Sequence, residues 1–231
     1  MNRDLFIDCI EKFGGEISEE KLNQFEKFSS LLVEWNEKMN LTAITDPDGI
    51  SVRHFADSIS PLFHFEIKEN AKVIDVGTGA GFPGVPLKIM RPDLDITLMD
   101  SLNKRITFLK EVREQIGIDK TECVHARAEE FGRKEEYREK YDVGVSRAVA
   151  SLKVLSEYVL PFIKVGGYFI SMKAFEIEEE VNEAKEKIKL LGGKIEEIKE
   201  IEIPNSDAVR KLVIIKKISK TDKKYPGRKI K

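Results

Sequence analysis

The chain has 231 residues, enough for one substantial domain with a small accessory segment but too few for two full domains. It is 41% hydrophobic and 35% charged, and no apolar run approaches the roughly 18 residues of a membrane span, which excludes a membrane-spanning protein. The net charge of −2 argues against a protein that coats nucleic acid indiscriminately.

The first residues contain no export signal. Asp4 places an acidic group where a secretory signal starts with basic residues, and no small-residue cleavage site follows. Cys9 and Cys123 lie far apart and match no metal-binding spacing, so we expect two reduced thiols. Both observations favour a cytoplasmic protein without a disulfide.

The N-terminal pattern predicts amphipathic helices. Ser18 is a typical N-cap, and two glutamates after it suit the positive end of a helix. Apolar residues then recur at helical spacing, at Leu22, Phe25, Phe28, Leu31, Leu32, Trp35 and Met39. With shorter helices predicted over 5–13 and 51–63, residues 1–66 form a helical segment that we expect to pack on the following domain.

After Asn70, short β-branched runs alternate with longer amphipathic stretches. Strands are predicted over 72–76, 95–99, 121–125, 142–146 and 168–172. Helices are predicted over 85–90, 104–116, 152–160 and 176–191. This alternation predicts right-handed crossovers and an α/β fold with a mostly parallel sheet covered by helices on both faces.

A hairpin is predicted after the last of these helices. Gly192-Gly193 ends the helix, and strand-like runs over 194–203 and 209–217 flank Pro204-Asn205. We expect the two runs to pair antiparallel at the sheet edge, and we place the main domain at residues 67–218.

The C-terminal end is strongly basic. From Val209 onward, ten Lys or Arg residues stand against the single Asp222, so the rest of the chain is acidic. A basic tail over residues 219–231 can hold phosphate by releasing counterions. The alternative is a solvated terminal extension.

The first strand leads into the most informative motif, Asp75-Val76-Gly77-Thr78-Gly79-Ala80-Gly81-Phe82-Pro83-Gly84. Glycines at alternate positions, Gly77, Gly79 and Gly81, let the backbone turn tightly and approach a ligand with no Cβ in the way. A strand before the loop and a helix after it are typical of a nucleotide site in an open α/β sheet. The alternative is a tight turn without a ligand.

An acidic residue, Asp100, ends the second strand. Its carboxylate can accept the hydroxyl groups of a ribose, or it can cap the helix that starts near Asn103, a role also open to Ser101. A dinucleotide site has the pattern Gly-x-Gly-x-x-Gly, whereas here the third glycine comes one residue early. This spacing favours S-adenosylmethionine over a nicotinamide dinucleotide.

Ala128-Glu129 follows the third strand, where an adenine ring would lie. A backbone amide or the Glu129 carboxylate can then contact the base or its surroundings. Equally, Glu129 can simply open a short surface helix.

Short motifs in a specific order and spacing cover nearly the whole chain. They are Trp35-Asn36, Asn40-Leu41-Thr42, Arg53-His54, Asp57-Ser58, the glycine loop, Asp100-Ser101, Lys104-Arg105, Phe108-Leu109, Arg127-Ala128-Glu129 and Ser146-Arg147-Ala148. In these motifs the chain resembles the bacterial 16S ribosomal RNA guanine-N7 methyltransferase family, also called the glucose-inhibited division protein B family.

The resemblance implies a Rossmann-like class I methyltransferase fold, S-adenosylmethionine as donor and a guanine of 16S ribosomal RNA as acceptor. It implies cofactor contacts at Gly77, Phe82, Ala128, Glu129 and Arg147. The whole expected cofactor site is Asp75, Gly77, Gly79, Gly81, Phe82, Asp100, Ser101, Ala128, Glu129 and Arg147.

Two features depart from the family pattern. Ala174 follows Met172-Lys173, where the family usually has glycine. Tyr225-Pro226-Gly227-Arg228 is followed by only three residues, whereas the family continues into a longer basic tail. The basic character of the tail survives in shortened form.

The expected chemistry needs no general base, because guanine N7 carries an unshared pair and no proton near neutral pH. No Asn or Asp-Pro-Pro-aromatic run follows the fourth strand, where Val145-Ser146-Arg147-Ala148 stands, which disfavours methylation of an exocyclic amine. Neither cysteine lies at the strand end that a covalent pyrimidine mechanism would use, although Cys123 is inside the third strand.

Arg147 is the residue expected to orient the reactants. At the end of the fourth strand its guanidinium can bind the donor carboxylate or contact guanine O6. The alternative is a structural ion pair.

RNA contacts are expected from basic residues near the cleft. Arg53, His54 and Asp57 lie within one turn of a predicted helix, so His54 and Asp57 share a face. The candidate RNA-binding residues are Arg53, His54, Lys104, Arg105 and Lys173. The spacing of the histidines indicates no metal site. Each cation can also be an ordinary surface charge.

We expect a monomer with no membrane partner. The alternative functions are an RNA- or nucleotide-binding module without methyl transfer, a nicotinamide oxidoreductase and a small-molecule methyltransferase. The basic terminus argues against the last of these, whereas the glycine spacing argues against the oxidoreductase.

Overall fold

The N-terminal segment is helical in the computed structural model, which describes residues 1–147, 150–174 and 176–227. Helix α1 spans Arg3–Lys12 and α2 spans Glu19–Met39. The predicted cap is confirmed, because the Ser18 hydroxyl accepts from the Lys21 amide. Helix α2 ends at Asn40, whose backbone is left-handed with φ of 49°.

The third helical stretch is broken into short pieces, so the single helix predicted over 51–63 is wrong in detail. It comprises α3 (Pro47–Gly49), a π-helical stretch (Ile50–Ala56), α4 (Asp57–Ile59) and α5 (Pro61–His64). The stretch starts earlier than predicted because the Asp46 carboxylate caps it at the Gly49 amide. The break before α5 coincides with Pro61, which has no amide hydrogen to donate.

A seven-stranded sheet in the order β3-β2-β1-β4-β5-β7-β6 forms the centre of the described structure. Its strands are β1 (Lys72–Val76), β2 (Asp95–Asp100), β3 (Thr121–His125), β4 (Tyr141–Arg147), β5 (Ile163–Lys173), β6 (Gly193–Glu202) and β7 (Val209–Lys217). Neighbours among β1 to β5 pair parallel. The strand order reverses at β1 and β4, so the carboxyl ends of these strands flank the crevice where such sheets bind ligands.

The hairpin prediction is confirmed with one refinement. β6 and β7 pair antiparallel, and β7 also pairs antiparallel with β5, so β7 lies inside the sheet and β6 forms the edge. β5 is longer than its predicted core because it starts in an exposed glycine-containing stretch, where its register with β4 shifts.

Five helices connect the strands of the main domain. They are α6 (Gly84–Met90), α7 (Asn103–Ile116), α8 (Ala128–Phe131), α9 (Leu152–Val159) and α10 (Glu178–Leu190). α9 continues into a 3₁₀ turn, Leu160–Phe162. Helix α10 begins two residues after the start of the helix predicted over 176–191. Ala148 of the fourth-strand motif lies outside the described residues. No helix in the described ranges is long and apolar enough to cross a membrane.

The N-terminal helices and the sheet share one hydrophobic core, which is centred on aromatic side chains. Phe28 of α2 is fully buried, and its ring centroid lies 5.6 Å from that of Phe55, 5.4 Å from that of Phe82 and 6.4 Å from that of Phe108. These rings belong to the π-helical stretch, the glycine loop and α7. The packing therefore joins the first 65 residues directly to the loop that was predicted to bind the ligand.

Phe28→Ala is expected to lower the free energy of unfolding by about 3 to 5 kcal/mol, because it opens a cavity at this junction. The measurement is urea denaturation followed by tryptophan fluorescence and by circular dichroism. Val33→Ala on the same helix is the control, since Val33 is 37% exposed and its loss should change stability by less than about 0.5 kcal/mol. Equal effects of the two changes would contradict the shared core.

The C-terminal segment is fastened to the core, which the sequence did not predict. Arg138 donates hydrogen bonds to the carbonyl groups of Thr221, Asp222 and Tyr225, and Gly227 donates its amide to Glu157 of α9. Lys220, Lys223 and Lys224 stay exposed, but Lys217 is fully buried. Its ammonium donates to the carbonyls of Leu160 and Ile163 and to the Thr221 hydroxyl. The basic end thus offers fewer free cations than its composition indicates, and Arg228 to Lys231 lie outside the described residues.

Candidate functional site

A cavity of about 560 Å³ opens at the carboxyl ends of β1, β2 and β3. Eight of the ten expected cofactor residues line it: Gly77, Gly79, Phe82, Asp100, Ser101, Ala128, Glu129 and Arg147. Neither Asp75, at the start of the loop, nor Gly81, within it, lines the cavity. We refer to this space as the glycine-loop cavity.

The three alternate glycines adopt the left-handed backbone that the motif predicted. The φ angles are 75° at Gly77, 60° at Gly79 and 96° at Gly81. A Cβ on Gly79 would meet no protein atom within 4 Å, so it would occupy open space at the cavity wall. A Cβ on Gly81 would lie 2.7 Å from Val85 and 2.9 Å from Leu109. Gly81 therefore serves close packing of the loop on its helices, while Gly79 faces the cavity.

Asp75 supports the loop from behind. Its side chain is fully buried, and one carboxylate oxygen accepts the Gly84 amide at 2.8 Å, where α6 begins. Burial raises the pKa of Asp75 to about 7, against the opposing effect of the Thr78 hydroxyl and the Gly84 amide. Asp75 thus fixes the turn from strand to helix and does not line the cavity.

Asp100 both shapes the loop and faces the cavity. Its carboxylate, 3% exposed, accepts the amides of Gly79 and Leu102, each at 2.9 Å, and a guanidinium hydrogen of Arg105 at 3.2 Å. A carboxylate offers about four acceptor positions, so about one remains, and displacement of the partly exposed Arg105 would free a second. Ser101 does not cap α7, whose first turn has no side-chain cap.

Glu129 begins a short helix and also lines the cavity. Ala128 and Glu129 open the short helix α8, and both line the glycine-loop cavity beyond the end of β3. Leu155 and Tyr158 of α9 complete this wall.

A stack of His54 on Phe82 forms the opposite wall. The two rings lie 4.4 Å apart at an interplanar angle of 10°. Burial, together with the smaller effect of the nearby positive charge of Arg147, lowers the pKa of His54 to about 4. In the neutral ring, Nδ1 faces the Arg147 guanidinium at 3.5 Å, so we assign the proton to Nε2, which donates to Thr42 Oγ1 at 2.8 Å. An N-terminal element therefore supplies part of the cavity.

Arg147 is held on one side of its guanidinium. Nη1 donates to the carbonyls of Arg53 and His54, at 3.2 and 3.3 Å, and to the Asp57 carboxylate at 3.0 Å. The guanidinium carbon lies 5.0 Å from the Phe82 ring centroid. Within the described part of the chain Nε has no hydrogen-bond partner and Nη2 has only the 3.5 Å contact with His54 Nδ1, so the edge that these nitrogens form keeps donor capacity for a ligand. Arg147 thus makes an ion pair with Asp57, which was the alternative role predicted for it, and it also lines the glycine-loop cavity.

A second cavity of about 550 Å³ shares this wall. His54 and Arg147 line both cavities, and the second one extends to the ends of β5 and β7. Its other polar or charged lining residues are Arg53, Asp57, Lys173, Glu176, Glu180 and Arg210. The prediction that His54 and Asp57 face the same cleft is confirmed. We refer to this space as the adjoining cavity.

The candidate RNA-binding residues are not equally free. Lys173 lies 2.5 Å from Glu180 and donates to the Ala150 carbonyl, and Arg105 pairs with Asp100. Lys104 lines neither cavity and donates to the Met39 carbonyl. Arg53 is exposed at the adjoining cavity, and no partner of its guanidinium is found among the described residues. Arg53 is therefore the cation most available to an incoming ligand.

The buried neutral His54 predicts a specific loss of stability in acid. Because its pKa in the folded protein, about 4, lies below the ordinary 6.5, the unfolded chain binds more protons in this window. The contribution of neutral His54 to the free energy of unfolding is complete above pH 6.5. It falls by about 2 kcal/mol between pH 7 and pH 5. The free energies of unfolding of wild type and His54→Gln, measured across this range, should therefore converge by about 2 kcal/mol as the pH falls. Parallel pH profiles would contradict the assignment.

Comparison with known proteins decides the family. A family model described as rRNA small subunit methyltransferase G matches residues 21–210. The chain belongs to this family. A relative from Clostridium novyi (strain NT), called ribosomal RNA small subunit methyltransferase G, is 54% identical over 96% of this chain and 92% of its own length. A relative of the same name from Lysinibacillus sphaericus is 50% identical over 98% and 95%. The resemblance inferred from the motifs is confirmed.

Solved structures support the fold of this methyltransferase. A SAM-dependent methyltransferase from Aquifex aeolicus matches with a TM-score of 0.54 at 19% identity, covering 74% of this chain and 93% of that one. A structure of a Thermoplasma acidophilum protein described as a putative methyltransferase matches with a TM-score of 0.53 at 12% identity, covering 67% and 71%. At these identities the likeness concerns the fold, and the predicted class I methyltransferase fold is confirmed.

Some residues of the methyltransferase site were missed from the sequence. Thr42 and Tyr158 line the glycine-loop cavity, and Arg210 lines the adjoining one. Thr42 was in a motif quoted for the resemblance, but nothing in its spacing indicated a contact with His54. Arg210 was counted only as part of the basic end, and nothing in its spacing set it apart from Lys211 beside it.

Proposed function

We propose that this chain transfers the methyl group of S-adenosylmethionine to N7 of a guanine in 16S ribosomal RNA. The observation that carries the proposal is a pair of neighbouring cavities that share one wall at the end of β4. We call this wall, formed by His54 and Arg147, the common wall. One cavity has the features of a nucleoside site, and the other is open and cationic enough to admit an RNA base.

The glycine-loop cavity fits the donor. Its backbone approaches without side chains at Gly77 and Gly79, Asp100 keeps acceptor capacity for ribose hydroxyls, and Ala128 with Glu129 borders the space expected for adenine. When bound there, S-adenosylmethionine supplies an electrophilic sulfonium methyl group. The open guanidinium edge of Arg147 suits a carboxylate or a carbonyl oxygen.

The residues of the common wall fit an acceptor that needs no base. The unprotonated Nδ1 of the neutral His54 faces the Arg147 guanidinium, and the carboxylate of Asp57 is engaged with Arg147 and Arg210. Neither is free to take a proton, and N7 of guanine has none to give. The protein's contribution is therefore alignment of the reactants, which can supply on the order of 7 to 11 kcal/mol of a reaction barrier.

A covalent pyrimidine mechanism finds no support at the site. Cys123 lines neither cavity, and burial raises the pKa of its thiol to about 11, so it carries a proton at neutral pH.

Three further expectations belong to this proposal. The protein works in the cytoplasm, where its two free thiols stay reduced and ribosomal subunits are made. It acts as a monomer, as expected from the sequence. Residues 1–66, 67–218 and 219–231 act as a helical segment, a methyltransferase domain and a basic tail. The first of these supplies His54 to the site.

The proposal is tested by incubating the purified protein with labelled S-adenosylmethionine and with small ribosomal subunits that lack the modification. The expected result is label in 16S ribosomal RNA and chemical cleavage at one N7-methylguanine, with no transfer to subunits that already carry the methyl group. Label in protein or small metabolites would contradict it. Adenosylhomocysteine should raise the melting temperature, whereas a nicotinamide dinucleotide should not.

A further inference from the structure

A buried carboxylate between two arginines lies at the back of the common wall. The side chain of Asp57, at the start of α4, is 3% exposed. Arg147 of β4 donates Nη1 to one of its oxygens at 3.0 Å. Arg210 of β7 donates Nε and Nη2 to the two oxygens at 3.0 and 3.3 Å. One acidic side chain from the N-terminal segment thus holds arginines from two strands of the sheet.

Building on the proposed function, we infer that Asp57 is a positioning residue for methyl transfer, acting through Arg147. Asp57 lines the adjoining cavity but not the glycine-loop cavity, whereas Arg147 lines both. The carboxylate takes the Nη1 side of Arg147, and the two backbone carbonyls take the rest of that side. Nη2 has only a 3.5 Å contact with His54 Nδ1, so Nε is the nitrogen left without a partner among the described residues to face a ligand.

The charge balance supports the same role. Arg147 and Arg210 approach one another through a shared partner, and burial lowers the pKa of Arg147 while Asp57 opposes that shift. Without the carboxylate, two partly buried cations would repel each other, and Arg147 would keep only its longer contacts to two backbone carbonyls and to His54 Nδ1. The guanidinium would then turn or tilt, and small displacements of a positioning group have large effects on rate.

The substitution Asp57→Asn removes the charge and keeps the shape. We expect kcat on small-subunit particles to fall at least about 10-fold, with the Kd for adenosylhomocysteine and the KM for the particles within about 3-fold of wild type. Asp93→Asn is the matched control, because Asp93 accepts Nε and Nη2 of Arg91 in the same way, far from both cavities. It should keep full activity when assayed below its melting temperature.

A double-mutant cycle separates positioning from mere stability. If Asp57 acts through Arg147, Asp57→Asn should change kcat less than about 2-fold in an Arg147→Ala background. Full kcat in folded Asp57→Asn, additive losses in the cycle, or a loss confined to cofactor affinity would each overturn the inference. Wild-type protein is assayed in parallel, and its failure to methylate the particles would count against the proposed function instead.

Discussion

Arg147→Ala is expected to lower kcat/KM for methylation of small-subunit particles about 100-fold to 1000-fold. Arg147 is the residue whose guanidinium borders both cavities with an open hydrogen-bonding edge. Loss of one preorganised charged donor at a reacting centre typically has an effect of this size. The loss should appear in kcat as well as in kcat/KM, which steady-state kinetics at saturating donor can measure.

The control for this change is Arg91→Ala. Arg91 is also a partly buried arginine in an ion pair, with Asp93, but it lies away from the cavities. Its substitution should lower stability while leaving methyl transfer intact below the melting temperature. Full turnover of Arg147→Ala on ribosomal RNA would show that the arginine serves only the ion pair with Asp57.

Gly79→Ala is expected to weaken binding of adenosylhomocysteine at least about 10-fold, which calorimetry can measure. Gly79 has φ of 60° and no protein atom within 4 Å of an added Cβ, so the new methyl group would enter the cavity. Its backbone strain should lower stability by about 1 to 2 kcal/mol.

Gly117 provides a closely matched comparison. It caps α7 with φ of 66°, and an added Cβ would again meet no atom within 4 Å. Gly117→Ala should therefore lower stability as much as Gly79→Ala does, with no change in ligand affinity. Similar losses of affinity in both variants would mean that strain, and not occupation of the cavity, explains the result.

The parallel core and the glycine loop could be predicted because their signals are local. Alternating β-branched and amphipathic runs specify strands and crossover helices, and Gly77, Gly79 and Gly81 have positive φ angles, which glycine adopts without strain. Asp75 shows the limit of such reasoning. Its position beside the loop suggested contact with the ligand, whereas its carboxylate is turned to the Gly84 amide. A motif gives the neighbours in sequence but not the direction of a side chain.

The common wall could not be predicted, because its residues come together only through tertiary packing. Asp57 and Arg210 are 153 positions apart, and no periodic pattern relates them. Whether a lysine or arginine side chain is free or is paired within the protein also depends on such contacts. Lys173 and Lys217 looked alike as basic residues, yet the first pairs with Glu180 and the second is buried among carbonyl groups.

Among the described strands β7 is synthesised last, yet it lies between β5 and β6. A growing chain therefore cannot complete the sheet or bring Arg210 to Asp57 until translation has passed residue 210. Earlier in synthesis, β5 presents an unpaired strand edge, and Asp57 lacks one of its two arginines. The enzyme should thus acquire its working shape only after β7 has entered the sheet between β5 and β6.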